Sequence, residues 1–443
     1  ACLNGDVDNY RELLSRVHSE TGRSLPTRIT TDTKIIPVLV DHYFQRSGDM
    51  REAFCKTVSQ CEGSIAIIMH NSLEPQKVYL ALRGSGQALF VGLCHHGYVF
   101  ASELYGVVEQ TQRFLRLDGT SERISGKPET AGQVLVLTSN GRGDLQGIEA
   151  FSFDGTPIAC DSLKVHNAEI TTRDINRGQY SHYLLKEIND APESIRKTLR
   201  GKFVLHSESR TARLNLDDKV LPQVFMERLK GGQVRRILII GQGTAAVAGQ
   251  AVAAIAQRLL GPRLSVSAMK ATELSGYSMD QHLDDALVIA ISQSGTTTDT
   301  NRTVDLAKSR GATVLAIVNR RNSDLVYKVD GVLYTSDGRD IEMSVASTKA
   351  FYSQVVAGYL VSYQLALALG MVDPETVYHE LSELSRLPDL MKSVLGSHEA
   401  VERFAEEWAP RRRDWAIVGS GPTRAAADEI RIKLSELCYK SIA

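Results

Sequence analysis

Residues 286–297, which read ALVIAISQSGTT, decide the fold of the second half of this 443-residue chain. An unbroken apolar run leads into a polar turn that contains a glycine, as in a strand buried on both faces of a parallel sheet. Similar apolar runs alternate with helical segments around it, the runs at 236–240, 313–318 and 332–334 and the helical segments at 245–260, 298–309 and 347–369. This alternation predicts an α/β fold with a parallel sheet covered by helices on both faces.

The polar end of this stretch is a candidate phosphate loop. Ser292, Ser294 and Thr297 place hydroxyl groups beside a predicted helix start, and Gln293 lies among them. Ligands of open α/β sheets bind at the carboxyl ends of the strands, where the free N–H groups and the dipole of a helix favour an anion. Because residues 292–297 include no Lys or Arg, they suit a phosphomonoester held by neutral donors. The alternative is an ordinary turn whose Ser or Thr caps the helix.

Two further polar turns favour the phosphate site. One follows the apolar run 236–240, and the other, within 342–351, opens the long helical segment. The first is not a dinucleotide-binding fingerprint, because Ala246 stands where the third glycine would be. Polar turns at three helix starts are more typical of a ligand site than of simple caps. The candidate substrate-binding residues are therefore Gln242, Gly243, Thr244, Ser292, Gln293, Ser294, Thr297, Val345 and Ser347.

Composition excludes several classes of function. The formal net charge is -1, so no basic field is available for nucleic acid or an anionic membrane. No apolar run approaches the ~20 residues that cross a bilayer, and we expect no signal peptide. Six cysteines without CxxC spacing indicate a reducing, cytoplasmic compartment. His95 and His96 adjoin each other, but no further ligands accompany them, so we predict no metal site.

The remaining segments outline the domains. Residues 1–155 carry strand-like runs typical of a layered α+β region, and residues 156–180 are polar and indicate a linker. A helix is expected over 183–199, interrupted by Pro192. The strand–glycine–turn–helix pattern starts again at 415–421, which predicts a second, shortened copy of the α/β module. Both termini read as cuts through domains, so we expect the chain to be a fragment.

Three motifs resemble the glucosamine-6-phosphate synthase family. Residues 291–300, ISQSGTTTDT, resemble the SQSGETADT stretch of its sugar isomerase (SIS) domains. Residues 345–351, VASTKAF, match a more specific family motif, and residues 182–188, HYLLKEI, resemble the helix that opens the domain. The resemblance implies a flavodoxin-like SIS module at 181–372 and the start of a second one at 373–443. It also implies a homodimer that converts fructose-6-phosphate and glutamine to glucosamine-6-phosphate without a cofactor or metal.

Weaker matches extend toward the N-terminus. Leu3-Asn4-Gly5 and Thr31-Asp32-Thr33 resemble segments of the family's glutaminase domain, which implies part of an α+β Ntn-type glutaminase at 1–155. By this resemblance Asn4 and Gly5 would supply the oxyanion hole, and Asp32 would bind the α-amino group of glutamine. Cys2 is not expected to be the nucleophile, because it follows Ala1 and has no free amine.

A last match concerns catalysis. Residues 429–437, EIRIKLSEL, resemble the family helix that carries the isomerase base. The resemblance places that base on Glu436, with Lys433 beside it on the same helical face. A carboxylate there could move a proton between C1 and C2 of the sugar. The alternative for this pair is a surface salt bridge.

Departures from the family pattern leave other functions open. Thr296 stands where the family has Glu, Ala245 where it has Ser, and Lys34 where it has an acid. These changes suit a non-catalytic or regulatory protein that binds a sugar phosphate. A third possibility is an SIS amidotransferase or deglycase that acts on another sugar.

Overall fold

The computed structural model describes residues 1–22, 28–84, 86–122, 124, 126–171, 175–438 and 440–443. The chain folds as two compact units, Ala1–Arg173 and Asp174–Ala443. None of the helices in these described ranges combines the length and apolar character that a bilayer crossing requires.

The first unit is built from antiparallel sheets and short helices. Its strands are β1 (Cys2–Gly5), β2 (Ile65–His70), β3 (Lys77–Arg83), β4 (Phe90–Cys94), β5 (Gly97–Ala101), β6 (Arg113–Arg116), β7 (Gln133–Thr138), β8 (Ile148–Phe151), β9 (Pro157–Ile158) and β10 (Val165–Asn167). Its helices are α1 (Tyr10–Thr21), α2 (Ile35–Ser47), α3 (Met50–Gln60) and α4 (Tyr105–Val108).

Two sheets and a helical layer make up this unit. A six-stranded sheet has the order β1-β2-β3-β7-β8-β9, and a four-stranded sheet has the order β10-β6-β4-β5. Because side chains alternate along a strand, Ile67 and Tyr79 pack into the cluster formed with α1–α3, whereas Leu80 and Leu135 pack into the cluster shared with the second sheet. The layered α+β arrangement expected from the sequence is therefore present.

The predicted linker 156–180 begins inside this unit. Its residues Pro157–Ile158 form β9, which pairs with β8, and Val165–Asn167 form β10, which pairs with β6. Residues 172–174 of the same segment lie outside the described residues.

The second unit alternates strands and helices. Its strands are β11 (Phe203–His206), β12 (Thr211–Leu214), β13 (Arg236–Gly241), β14 (Ser265–Lys270), β15 (Ala286–Ser292), β16 (Thr313–Val318), β17 (Gly331–Tyr334), β18 (Asp414–Trp415) and β19 (Ser441–Ile442). Its helices are α5 (Tyr183–Leu199), α6 (Gln223–Lys230), α7 (Thr244–Leu260), α8 (Ala271–Glu273), α9 (Thr298–Ser309), α10 (Lys349–Ala368), α11 (Pro374–Leu395), α12 (His398–Trp408) and α13 (Arg424–Leu437).

A five-stranded parallel sheet forms the centre of the second unit, in the order β14-β13-β15-β16-β17. Every residue of β15 is buried, and apolar clusters cover both faces of the sheet. The predicted α/β fold is confirmed. Strand β14 was not predicted, because its side chains are only partly buried at the sheet edge and form no continuous apolar run.

The prediction that Pro192 interrupts the first helix of this unit is wrong. Helix α5 continues through it from Tyr183 to Leu199. A proline inside a helix removes one backbone hydrogen bond and costs about 3 kcal/mol. Here the buried face of the helix, with Ala191 and Ile195, packs into the unit, and this tertiary packing outweighs the local preference.

The segment that was predicted to begin a second module forms only a short strand pair and helices. The predicted strand at 415–418 is reduced to the two residues of β18, which pair in parallel with β19. Between them, α13 packs on the central module, where Ala425 and Ile432 contact a cluster that includes Val247 and Phe351. This packing brings one face of α13 to the carboxyl end of the sheet.

Candidate functional site

A cavity of about 220 Å³ opens at the carboxyl ends of β13 and β15. It brings together residues from all three polar turns and from α13, although α13 lies more than 100 positions along the chain from the first two turns. The sequence-predicted residues on its wall are Gln242, Thr244, Ser292, Gln293, Ser294, Thr297, Val345, Ser347, Lys433 and Glu436. Ala245, Ile291 and Gln354 complete the lining.

The loop after β15 is held rigidly by its own hydroxyl groups. The N–H of Gly295 donates to Ser292 Oγ at 2.9 Å, and the N–H of Thr296 donates to Ser294 Oγ at 3.2 Å. Gly295 has φ +66°, and a Cβ there would lie 2.1 Å from Ser323 Oγ, so only glycine fits. Because both serine oxygens accept hydrogen bonds from the loop, their protons remain available for an anion in the cavity.

The turn after β13 forms the opposite wall. Gln242 donates through Nε2 to Asp299 Oδ2 at 3.0 Å, which orients its amide at the start of α9. Gly243 is the N-cap of α7 with φ +54° and ψ −129°, a conformation that favours glycine. The hydroxyl of Thr244 donates to Glu429 Oε1 at 3.0 Å and accepts from Lys433 Nζ at 2.9 Å. Thr244 therefore joins α13 to the turn, and its proton is not free for a phosphate.

The acid–base pair on α13 borders the cavity. Lys433 Nζ lies 3.2 Å from Glu436 Oε2 and 3.4 Å from Glu429 Oε1. The Lys433 side chain is 19% exposed and that of Glu436 is 47% exposed, so Glu436 remains accessible to a ligand. An ion pair this exposed contributes at most about 1 kcal/mol to stability. The arrangement thus leaves an accessible carboxylate beside an ammonium group that Glu429 also contacts.

Glu429 is a site residue to which the sequence assigned no role. Burial raises the pKa of its carboxyl group, and the charge of Lys433 and the hydrogen bond from Thr244 oppose that effect. Its Oε2 atom is buried and has no hydrogen-bond partner among the described residues. The position four residues before Lys433 is the one signal that could have indicated it.

Two buried carboxylates shape the loop that opens α10. Glu187 of α5 accepts hydrogen bonds from the N–H groups of Met343 and Ser344 and from the Ser344 hydroxyl. Glu342 accepts from Ser347 Oγ at 2.7 Å and from the N–H of Thr348 at 2.7 Å. Burial raises the pKa of Glu342, and these hydrogen bonds oppose that effect.

The loop that these two carboxylates hold contributes Val345 and Ser347 to the cavity wall. Between the two anchored ends Val345 is fully exposed, with a relative accessibility of 101%. Glu187 and Glu342 were not predicted as site residues. A glutamate within the buried face of a predicted helix was the available signal for Glu187, because such a group needs a partner.

Replacement of Glu187 by Ala should loosen this loop. The change leaves the N–H groups of Met343 and Ser344 without their acceptor, and each orphaned buried donor costs about 1–3 kcal/mol. We expect the Kd for a phosphomonoester ligand of the cavity to rise about 10-fold, together with faster amide exchange over 343–348. Glu193→Ala removes an exposed glutamate of the same helix and is the control. An unchanged Kd in Glu187→Ala would show that these hydrogen bonds to Glu187 do not matter for binding.

The predicted residues of the first unit lie near one another within that unit. Asn4 and Gly5 end β1, and Gly5 has φ +111° with Ser64 O 2.0 Å from where a Cβ would be. Asp32 Oδ2 accepts from the N–H of Val7 at 2.9 Å, two residues beyond Gly5. Cys2 is exposed. Within the described parts of the chain, no group of three or more His, Cys, Asp or Glu side chains could hold a metal ion.

Comparisons with known proteins agree with this geometry. Residues 233–362 match the SIS domain family. The chain is 29% identical over 436 residues to the glutamine–fructose-6-phosphate aminotransferase of Clostridium tetani, and 30% identical over 436 residues to that of Symbiobacterium thermophilum. Each alignment covers 98% of this chain and 64% of the relative. The chain thus spans a little under two thirds of the length of these relatives.

A solved structure shares the fold of a large part of the chain. The C-terminal domain of glucosamine-fructose-6-phosphate aminotransferase from Francisella tularensis superposes with a TM-score of 0.52 at 26% identity. The match covers 60% of this chain and 70% of that one. The resemblance read from the motifs is therefore confirmed: residues 233–362 match the SIS domain family, and 98% of the chain aligns with isomerising glutamine–fructose-6-phosphate aminotransferases.

Proposed function

We propose that this chain acts in the glutamine-dependent conversion of fructose-6-phosphate to glucosamine-6-phosphate. The observation that carries the proposal is a single cavity that joins a neutral hydroxyl loop to the pair of Lys433 and Glu436. The loop suits a phosphate monoester, and the pair suits proton transfer on the sugar carbons beyond it. The similarity to aminotransferases named for this reaction supports the same conclusion.

In the proposed reaction the residues divide into two groups. Ser292, Ser294 and Thr297 hold the phosphate through hydroxyl protons and the N-terminus of α9. Glu436 removes a proton at one sugar carbon and returns it at the neighbour, which interconverts the ketose and aldose forms. Lys433, 3.2 Å away, can stabilise negative charge that develops on the substrate oxygen.

The first unit is assigned to nitrogen supply within the same proposal. We assign residues 1–155 to part of an Ntn-type glutaminase domain, residues 156–180 to a linker, 181–372 to an SIS domain and 373–443 to the start of a second. Asn4 and Gly5 would form the oxyanion hole, and Asp32 would bind the α-amino group of glutamine. The sharp turn at Gly5 and the tie from Asp32 to Val7 support this assignment. A homodimer in the cytoplasm completes the proposal.

The direct test is product formation. The full-length protein, incubated with glutamine and fructose-6-phosphate, should release glucosamine-6-phosphate, which chromatography with mass detection identifies. A parallel reaction with an ammonium salt in place of glutamine separates the sugar chemistry from the glutaminase step. Absence of product in both reactions would refute the proposed activity.

A non-catalytic sugar-phosphate binder is the second candidate. Ala245 favours it, because the methyl group of this residue lines the cavity where the related family has a hydroxyl. This candidate predicts that fructose-6-phosphate binds and is recovered unchanged. A panel of other sugar and amino-sugar phosphates would identify a related SIS enzyme with a different substrate.

A further inference from the structure

Gln354 is a buried polar residue on the cavity wall with no role in the proposal so far. It lies in the second turn of α10 and is 1% exposed. Its neighbours on the buried face of this helix, such as Val356 and Leu360, are mainly apolar. Gln354 lines the cavity, and its Oε1 atom is buried and has no hydrogen-bond partner among the residues that the structure describes.

An unpaired amide oxygen is costly at such a position. A buried acceptor without a donor costs about 1–3 kcal/mol relative to a paired one, and most buried polar atoms in proteins are paired. A methionine or leucine would fill the same space without that cost. Because none of the described residues donates to Oε1, a molecule bound in the cavity can supply the donor.

The polarity of the cavity restricts what that donor can be. At the phosphate loop, Gln293 Nε2 is a buried donor that has no partner among the described residues, and the Ser294 oxygen accepts a hydrogen bond, which leaves its hydroxyl proton for a ligand. These donors match the oxygens of a phosphate dianion, which has no proton to give. At the other side, Ser347 gives its proton to Glu342 and so offers an oxygen lone pair. Gln354 Oε1 is a second acceptor, and the hydroxyl groups of a sugar can donate to both.

We propose that Gln354 is a specificity-determining residue that accepts a hydrogen bond from a hydroxyl group of the bound hexose phosphate. The inference rests on the proposed function, since it takes a hexose phosphate as the ligand. It divides the cavity into a donor side for the phosphate and an acceptor side for the sugar. A sugar phosphate without the matching hydroxyl leaves Oε1 unpaired and binds more weakly.

The test compares two ligands on one pair of proteins. In Gln354→Met, which keeps the length of the side chain and removes the amide, the Kd for fructose-6-phosphate measured by calorimetry should rise about 5- to 10-fold, the effect of one buried hydrogen bond. The Kd for inorganic phosphate should stay within about 2-fold. Gln223→Met replaces an exposed amide of the same unit and is the matched control. Ser294→Ala, in the phosphate loop, should weaken both ligands.

Deoxy analogues identify the hydroxyl that Gln354 contacts. Each analogue of fructose-6-phosphate that lacks one hydroxyl is measured with wild type and with Gln354→Met. The analogue that lacks the contacted group should bind the two proteins equally, whereas the other analogues should retain the 5- to 10-fold difference. This cycle, which combines the loss of a ligand hydroxyl with the Gln354→Met substitution, distinguishes a direct contact from a general change in the shape of the cavity.

The outcomes distinguish the two levels of the proposal. If wild type forms glucosamine-6-phosphate but Gln354→Met binds fructose-6-phosphate as wild type does, the inference about Gln354 is refuted and the proposed function stands. If the variant loses affinity for inorganic phosphate to the same extent, Gln354 has a structural role and the inference is also refuted. If wild type does not bind fructose-6-phosphate at all, both proposals fail.

Discussion

Replacing Glu436 by Gln is expected to lower the rate of glucosamine-6-phosphate formation by at least about 100-fold, the lower end of what a positioned general base contributes. The amide has nearly the shape of the carboxylate but cannot remove a proton from carbon. Because Glu436 is 47% exposed and its partner Lys433 retains contacts to Glu429 and Thr244, α13 should keep its position. The Kd for fructose-6-phosphate should therefore change by less than about 3-fold, the equivalent of under 1 kcal/mol.

The measurements are a steady-state rate with glutamine, the same rate with an ammonium salt, and a Kd by calorimetry. Asp428→Asn makes the same carboxylate-to-amide change on the same helix, away from the cavity, and should leave the rate near that of wild type. A Glu436→Gln protein with more than a tenth of the wild-type rate would exclude Glu436 as the base. Equal losses in rate and in binding would instead indicate that the carboxylate only holds the substrate.

Replacing Lys349 by Met should lower the free energy of unfolding by about 3–5 kcal/mol, the usual effect of removing one partner of a buried ion pair. The Lys349 side chain is 1% exposed. Its ammonium group contacts Asp340, whose side chain is 10% exposed, and lies 3.5 Å from Asp190. Burial disfavours both charges, but their attraction prevails: the pKa of Asp340 is lowered and that of Lys349 is raised. Methionine fills most of the space, so the loss arises from the stranded carboxylate and not from a cavity.

The pH dependence and a second substitution test this reason. In wild type the contribution of Asp340 is fully present above the ordinary pKa of 3.8 and is lost as the pH falls through the lowered folded value. In Lys349→Met the carboxyl pKa should instead rise, so the deficit measured by urea unfolding should be smaller at pH 5 than at pH 8. Asp340→Asn added to Lys349→Met removes the stranded charge and should restore at least half of the lost stability.

Lys308→Met is the matched control for charge removal. Its ammonium pairs with Asp330, and both side chains are 35% exposed, so the loss should not exceed about 1 kcal/mol. A loss in Lys349→Met as small as this would contradict the ion-pair argument. Lack of rescue by Asp340→Asn would point to packing as the cause.

Much of the second unit could be predicted because its signals are local. Apolar runs at 286–291 and 313–318 correspond to β15 and β16, and the predicted helix at 298–309 coincides with α9. A strand buried on both faces needs a continuous apolar run, so its position is visible in the chain. The edge strand β14 and the uninterrupted α5 were not foreseen, because partial burial and packing around Pro192 depend on neighbours distant in sequence.

The candidate site likewise combines features with a local signal in the sequence and features that depend on distant segments. The parallel α/β module and its neutral hydroxyl loop follow from local patterns in the chain, because the strand period and the turn residues act over a few positions. The residues opposite that loop come from distant segments and depend on how the helices pack. The packing of α13 brings Lys433 and Glu436 to the cavity, and α10 brings Gln354 to its wall. Which polar groups remain unpaired depends on the whole surrounding shell, and no local pattern in the chain records that.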